Sequence, residues 1–385
     1  MNIRPLTVLA SAAFMSLSAC FAGSVAAEAD PLSALRVPDG FHVELWADGV
    51  PDARSLSRSP DGTLFVGTRG GGKVYALRDA DGDGRAERRW TLAEGLNMPN
   101  GVAWHRGDLY VAENHRILRY ADIGAHLDAP PTPQVVRDDL PTETHHGWRY
   151  IDFGPDGKLY LAIGAPCNVC MLESFERDGR RLEYGSITRM NADGSHWEVV
   201  AHGVRNSVGF DWRPQTKELW FTDNGRDWLG DDKPSCELNR ATRAGQHFGF
   251  PYCHAGNIAD PEFGKGKACS DYVAPVARLG AHVAPLGMMF YTGGQFPAEY
   301  RGSVLIAEHG SWNRSEKSGY RIVRVPVGEQ GEAGEPQPFV DGFLRGQAPL
   351  GRPVDLVDLP DGSVLFSDNG AGRIYRVRYG DADRS

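Results

Sequence analysis

Apolar and polar residues alternate with a period of two in short runs along almost the whole chain, and turn residues separate the runs. Thr63-Leu64-Phe65-Val66, Lys158-Leu159-Tyr160-Leu161 and Ser363-Val364-Leu365-Phe366 show the pattern most clearly. It gives each strand one buried and one polar face. The turns before these runs are Ser59-Pro60-Asp61-Gly62, Gly154-Pro155-Asp156-Gly157 and Leu359-Pro360-Asp361-Gly362, each ending in a glycine able to take the positive φ of a tight hairpin. Six segments, 56–78, 101–121, 151–191, 208–240, 286–327 and 354–378, repeat one plan: strand, turn, second strand, and often a third strand carrying arginine. No long stretch shows a helical period. A unit recurring six times at roughly 45–85 residues predicts an all-β fold, a six-bladed β-propeller of four-stranded blades. Phe41-His42-Val43-Glu44-Leu45-Trp46 precedes the first unit and is expected to complete the last blade, which removes an exposed edge. Segments 168–186, 227–284 and 330–349 exceed turn length, and such long inserted loops are expected to gather on one face and build the site.

The first residues follow a different pattern. Arg4, an apolar run over 6–17 and the small residues Val25-Ala26-Ala27 predict a secretory leader over 1–27, with one propeller domain over 28–385. The run is too short to span a membrane. Cleavage after Ala27 competes with a lipobox-like Leu17-Ser18-Ala19-Cys20, so a periplasmic or secreted protein is expected, held at a membrane only if Cys20 is lipidated. Five cysteines follow the leader. Cys167-Asn168-Val169-Cys170 suits a local disulfide, a redox pair or half a metal site, but no second Cys-x-x-Cys completes zinc ligation, and Met171 in place of His excludes haem attachment. The reading preferred is a structural 167–170 bridge, with Cys253–Cys269 as the second pair and Cys236 free.

Composition narrows the partners. The 385 residues carry a net charge of -9 with both signs interspersed, so nothing resembles a nucleic-acid surface. A small neutral or cationic substrate fits better.

Candidate chemistry sits where strands begin. His145-His146-Gly147-Trp148 lies before the strand at 151, and Gly203-Val204-Arg205-Asn206 at the equivalent point before the next blade. His146 supplies a base with a pKa near working pH, and Arg205 a permanent cation for a developing oxyanion or a carboxylate. The alternative is a hydrogen-bonded histidine and an inter-blade ion pair. Asp223-Asn224-Gly225-Arg226-Asp227 with Glu237-Leu238-Asn239 concentrates oxygen ligands suited to a hard cation, against the alternative of a solvated acidic loop. Asp79-Ala80-Asp81-Gly82-Asp83-Gly84 has the odd-position acids of a calcium loop, but Trp90 occupies position twelve, which favours a plain turn. His309, Arg314 and Arg352 stand at strand ends and are expected to converge on an anionic ligand, whereas His282 reads as a packing residue.

These residues resemble a known family, the soluble pyrroloquinoline-quinone-dependent sugar dehydrogenases, and within it the L-sorbosone dehydrogenase-like branch. The resemblance covers nearly all of the chain after the leader. It rests on His146 before Gly154-Pro155-Asp156-Gly157, on Gly203-Val204-Arg205-Asn206, on Asp223-Asn224-Gly225 leading to Glu237-Leu238-Asn239, on 245–251 and on Gly351-Arg352-Pro353-Val354-Asp355. It implies oxidation of an aldose-like sugar or aldehyde, with His146 taking the hydroxyl proton, hydride transfer to the quinone, and Arg205 polarising the quinone carbonyl. It also implies that Asn206 and Arg352 hold pyrroloquinoline quinone, that the main-chain carbonyls of Gly225 and Arg226 bind calcium, and that Glu237 belongs to a neighbouring calcium site beside Asp223. An external electron acceptor, a quinone or a cytochrome, is implied too.

The chain departs from the pattern at three points. His145 stands where glucose-oxidising members have an aspartate that orients the base, and Glu143 or another carboxylate is the expected substitute. His309 replaces a cofactor-binding lysine, and Val354 a second arginine. Two further readings stay open: a metal-dependent lactonase, from the resemblance of 98–102 and 108–114 to gluconolactonase-type propellers, and a non-catalytic binding propeller.

Overall fold

A computed structural model describes residues 31–380, apart from 173–175, 178, 179 and 182. The leader expected at 1–27, with Cys20, and part of the 168–186 insertion lie outside the described residues.

Six blades of four antiparallel strands form the propeller, and one of them gains a fifth strand. Blade 1 comprises Ala53–Arg58, Leu64–Thr68, Val74–Arg78 and Arg88–Ala93, and blade 2 comprises Gly101–His105, Asp108–Ala112, Ile117–Tyr120 and Gln134–Arg137. Blade 3 comprises Ile151–Phe153, Leu159–Ile163, Ser186–Met190 and Glu198–His202; blade 4 has Phe210–Trp212, Leu219–Asp223, Ser235–Ala241 and Ala277–Ala281. Blade 5 comprises Pro285–Phe290, Val304–Glu308, Arg321–Val325 and Gln337–Val340. Blade 6 takes three strands from the C-terminal end, Pro353–Asp358, Val364–Asp368 and Arg373–Tyr379, and its outer strand from Phe41–Ala47. Val43 pairs with Val377 there, which closes the ring as the alternation at 41–46 predicts.

The turns explain the blades. In the three Pro-Asp-Gly turns the glycines take φ of 86°, 73° and 84° at Gly62, Gly157 and Gly362. The turn aspartate then caps the backbone two residues on: Thr63, Lys158 and Ser363 donate to Asp61, Asp156 and Asp361 at 3.2, 3.1 and 3.0 Å. The arginine of the third strand reaches back to the same carboxylate, Arg78 to Asp61 at 2.6 Å, Arg189 to Asp156 at 3.0 Å and Arg376 to Asp361 at 2.5 Å. Blades 2, 4 and 5 make related clasps, Arg119 to Asp108, Arg240 to Glu218 and Arg324 to Ser303.

Aromatic and aliphatic side chains fill the space between blades. Tyr160, Phe210, Trp212 and Phe221 pack between blades 3 and 4, and Phe41, Phe296, Tyr300 and Phe339 between blades 5 and 6. First strands of neighbouring blades line the axis. Val208, Leu286 and Val354, with Trp148 against them, form an apolar plug on that axis. One segment departs from the regular plan: Gln246–His247, from the insertion in blade 4, adds a fifth strand to blade 3, parallel to Glu198–His202. Both expected disulfides, Cys167–Cys170 and Cys253–Cys269, are present, and Cys236 is free and buried.

Candidate active site in the axial cavity

The connections that lead into the first strands and those that follow the second strands meet at one end of the axis. They enclose a cavity of about 370 Å³. Of the residues expected at the site, His146, Arg205, Asn206, Gly225, His309 and Arg352 line it. Trp148 and Asp227, from segments the sequence singled out, line it as well, as do Arg54, Arg69, Cys236, His282 and Trp312, which the sequence reading did not place there.

His146 is held by its backbone and by one atom of its ring. Its φ of 50° is left-handed, a conformation that costs a side-chain-bearing residue energy and persists only when the surroundings impose it. Two anchors impose it. Asn114 donates through its amide to the carbonyls of Glu143 and Gly147, both at 3.0 Å, and buried Arg149 donates to Asn114 at 3.0 Å and Pro141 at 2.7 Å. Gly164 leaves the space for the ring, since a Cβ there would meet the His146 Cβ at 2.5 Å.

The ring Nδ1 lies 2.8 Å from the main-chain carbonyl of Ala165. A carbonyl only accepts, so Nδ1 carries the proton and Nε2 is left as the basic nitrogen of the neutral ring. The expected carboxylate partner is therefore replaced by a backbone oxygen. Glu143 does not substitute; its contact with this loop is through its own carbonyl. Burial, with Arg205 and His145 nearby, pushes the His146 pKa well below the ordinary histidine value, so the ring is neutral at neutral pH.

Arg205 is buried and held by four hydrogen bonds, one fewer than its five N–H groups. Its guanidinium donates to the Asn168 carbonyl at 2.8 Å, the Asn168 side chain at 2.9 Å, the Asn224 carbonyl at 3.1 Å and Asp227 at 3.3 Å. The Cys167–Cys170 bridge spans Asn168, so that the disulfide loop presents the residue that fixes Arg205. Asp223 turns inward, and its two oxygens accept the backbone N–H groups of Arg205 at 2.8 Å and Asn206 at 2.6 Å. Glu237 lies opposite Asp223 across the sheet and accepts from Asn239 and Ala255. Burial first, then the neighbouring Asp223, raises the Glu237 pKa. The Arg226 side chain leaves the cavity to pair with Asp260, which also holds His254 at 2.8 Å. Arg314 stands at the rim and donates to the carbonyl of Asp231 at 2.7 Å.

Positive charge dominates the cavity. Four guanidiniums, Arg54, Arg69, Arg205 and Arg352, line it, with Asp227 as the single carboxylate. Arg54 is oriented by Asn100 at 2.9 Å, and burial together with Arg69 pushes its pKa down to about 10. Arg69 stacks on Trp148 at 4.0 Å, and Arg352 is steered by the carbonyls of His309 and Gly310. The buried Trp148 indole N–H has no acceptor. Donors thus outnumber acceptors, which suits a planar polycarboxylate rather than a cation alone. Asn100 and Asn114, from the segments that resemble a lactonase, serve here as anchors for Arg54 and the His146 loop. Among the described residues, the close set of three metal-ligating side chains is Asp79, Asp81 and Glu87, on the third-to-fourth strand connection of blade 1.

Comparison with known proteins follows the same lines. A family described as TrAA12-like matches residues 35–342. An uncharacterized protein of Borreliella burgdorferi is 35% identical over 92% of this chain and 93% of its own. A pyrroloquinoline quinone-dependent pyranose dehydrogenase of Coprinopsis cinerea is 31% identical over 90% of this chain, which spans 55% of that protein's length. The calcium structure of a Trichoderma reesei carbohydrate-active enzyme of family AA12 superposes with a TM-score of 0.77 at 22% identity, over 90% of this chain and 97% of that one, and so shares its fold. The chain belongs to the TrAA12-like family.

Proposed function

We propose that this protein is a quinoprotein that oxidises an aldose-like sugar or aldehyde in its axial cavity, with pyrroloquinoline quinone as cofactor. The observation that carries the reading is the pairing of His146, neutral and with Nδ1–H fixed on Ala165, with four guanidiniums in one cavity. The Coprinopsis relative, a quinone-dependent pyranose dehydrogenase, supports it.

Pyrroloquinoline quinone supplies, when bound, the two-electron acceptor that none of these side chains can provide. Arg54, Arg69, Arg352 and Asn206 would hold its carboxylates and ring oxygens, and His309 would stand beside them. His146 Nε2 takes the substrate hydroxyl proton as the C–H bond breaks, and the Ala165 carbonyl keeps the imidazolium oriented. Arg205, immobilised by Asn168 and Asp227, stabilises the oxygen on which negative charge develops. Trp148 packs on the apolar plug of Val208, Leu286 and Val354, which gives the cavity a dry wall.

Calcium is proposed at the main-chain carbonyls of Gly225 and Arg226. With one carboxylate among four guanidiniums, the cavity needs the cofactor's own negative charge to retain a divalent cation, so calcium binding depends on the quinone. An L-sorbosone-type aldehyde is the finer substrate reading. The leader expected at 1–27 and the two disulfides favour a periplasmic or secreted protein passing electrons to an external quinone or cytochrome.

Reconstitution with quinone and calcium, followed by dye reduction across aldoses and aldehydes, tests the proposal. Saturable cofactor binding and sugar-dependent reduction are expected; absence of both, or lactone hydrolysis with metal alone, overturns it.

A further inference from the structure

Two tryptophans stand in the open at the mouth of the cavity. Trp228 is 66% exposed and Trp312 68%, far more than the other large hydrophobic side chains at this end of the molecule. Their rings lie 5.5 Å apart at 84°. Trp312 borders the axial cavity with one side and a shallow depression with the other, where it meets Trp228, Gly230, Asp231, Asn313, Arg314 and Ser315.

Exposed indoles of this size are costly to leave in water, and here the loops that carry them are tied together. Trp228 has a left-handed backbone, φ 70°, and its main-chain N–H donates to the Asn313 side-chain oxygen at 3.0 Å. Arg314 clamps the two loops together through the Asp231 carbonyl at 2.7 Å and Asp232 at 3.2 Å, and Ser315 N–H donates to the Asp231 carboxylate at 3.1 Å. His282 adds a contact to the Gly230 carbonyl at 2.8 Å. Arg314, expected at the cofactor, is therefore part of the frame that presents the aromatic pair.

We infer that Trp228 and Trp312 form a pyranose-stacking subsite outside the cavity, which takes a second sugar unit of a di- or oligosaccharide whose reducing end is oxidised at His146. The inference rests on the proposed function. A fused tricyclic cofactor leaves little of a 370 Å³ cavity free, so the reacting sugar sits at the mouth and the next unit must lie over the rim. An indole face matches the C–H face of a pyranose, and the Asp231, Asn313 and Ser315 polar atoms around it match the ring hydroxyls; a purely apolar partner would leave those groups unmatched. Trp312 borders both the cavity and the outer depression and Trp228 the depression alone, so the pair spans the rim along which a chain of linked rings would lie.

The test compares glucose with cellobiose and maltotriose on the full chain loaded with quinone and calcium. Trp228→Ala is expected to raise KM for both oligosaccharides about tenfold, with kcat and the glucose constants unchanged, and Trp228→Phe to restore most of the difference. Saturation-transfer NMR on the cofactor-free protein is expected to show oligosaccharide binding that Trp228→Ala weakens. If wild-type protein oxidises no sugar but still binds oligosaccharides in this Trp228-dependent way, the function fails and the subsite stands. Equal loss for glucose and oligosaccharides, no change for any of them, no oligosaccharide binding to wild-type protein, or loss confined to reduction of a protein electron acceptor would each overturn the subsite.

Discussion

At the scale of the residue, the chemistry turns on how a histidine is oriented without a carboxylate. The hydrogen bond from Nδ1–H to the Ala165 carbonyl fixes the tautomer but adds no negative charge to favour the imidazolium. His146→Asn is expected to lower kcat by about 10²–10⁴ while quinone affinity stays within a few-fold, measured by stopped-flow reduction and by titration. Because burial and Arg205 depress the His146 pKa, the base form persists well below the usual histidine range. The pH profile of kcat/KM should therefore stay flat through neutral pH and fall only on the acid side of about 6.5. An acid limb at or above that value contradicts the assignment. His146, Arg205, Asn206, His309 and Arg352 were legible in the sequence because they flank strands at repeated positions. Arg54 and Arg69 were not: they sit among the residues of the first blade, and only the axial geometry turns their heads inward. The orienting carbonyl of Ala165 was invisible because any residue supplies one.

At the scale of the element, two short connections control the site. Gly164 ends the strand Leu159–Ile163, and a methyl group there would strike the His146 Cβ, its carbonyl at 2.9 Å and Asn206 Oδ1 at 3.0 Å. Gly164→Ala should leave the circular dichroism of the sheet intact and cut kcat about 10²-fold, since a misplacement near 1 Å is enough. The Cys167–Cys170 loop positions Asn168, and through it Arg205 and Asp227. Replacing both cysteines with serine should reduce kcat/KM with a smaller effect on thermal stability, whereas loss of Cys253–Cys269, which closes the longer loop, should do the reverse; activity and melting curves together separate the two. The turns, the third-strand arginines and the closing strand were readable because their signals are local. The parallel strand Gln246–His247 was not, because its partner is 45 residues away and the two residues carry no pattern.

At the scale of the whole molecule, ring closure buries acids around the axis. Asp152, Asp211 and Asp355 come from blades 3, 4 and 6, and burial lifts their pKa values to about 6, 7 and 8. Backbone N–H groups oppose the rise: Leu56 donates to Asp355 at 2.8 Å and Phe290 to Asp211 at 2.7 Å. A folded-state pKa above the unfolded value means that the folded chain retains the proton longer. Stability from these groups is complete below about pH 4 and is lost as pH rises through about 8. The melting temperature should therefore fall between those limits, and Asp355→Asn should flatten the slope; a slope unchanged in that variant would remove Asp355 from the account. The same ring places the cavity at one end of the axis, where blades 1, 4 and 6 and their connections bring charge together.

The central claim is that this cavity binds a quinone and that His146 deprotonates the sugar bound beside it. Single-turnover absorbance of the protein loaded with pyrroloquinoline quinone and calcium, on addition of an aldose, tests it most directly. Wild-type protein should show a saturable cofactor spectrum that changes to the reduced form with sugar, and His146→Asn the same binding with reduction slowed by at least about 10². No cofactor binding by wild-type protein, or equally fast reduction in the variant, would contradict the account.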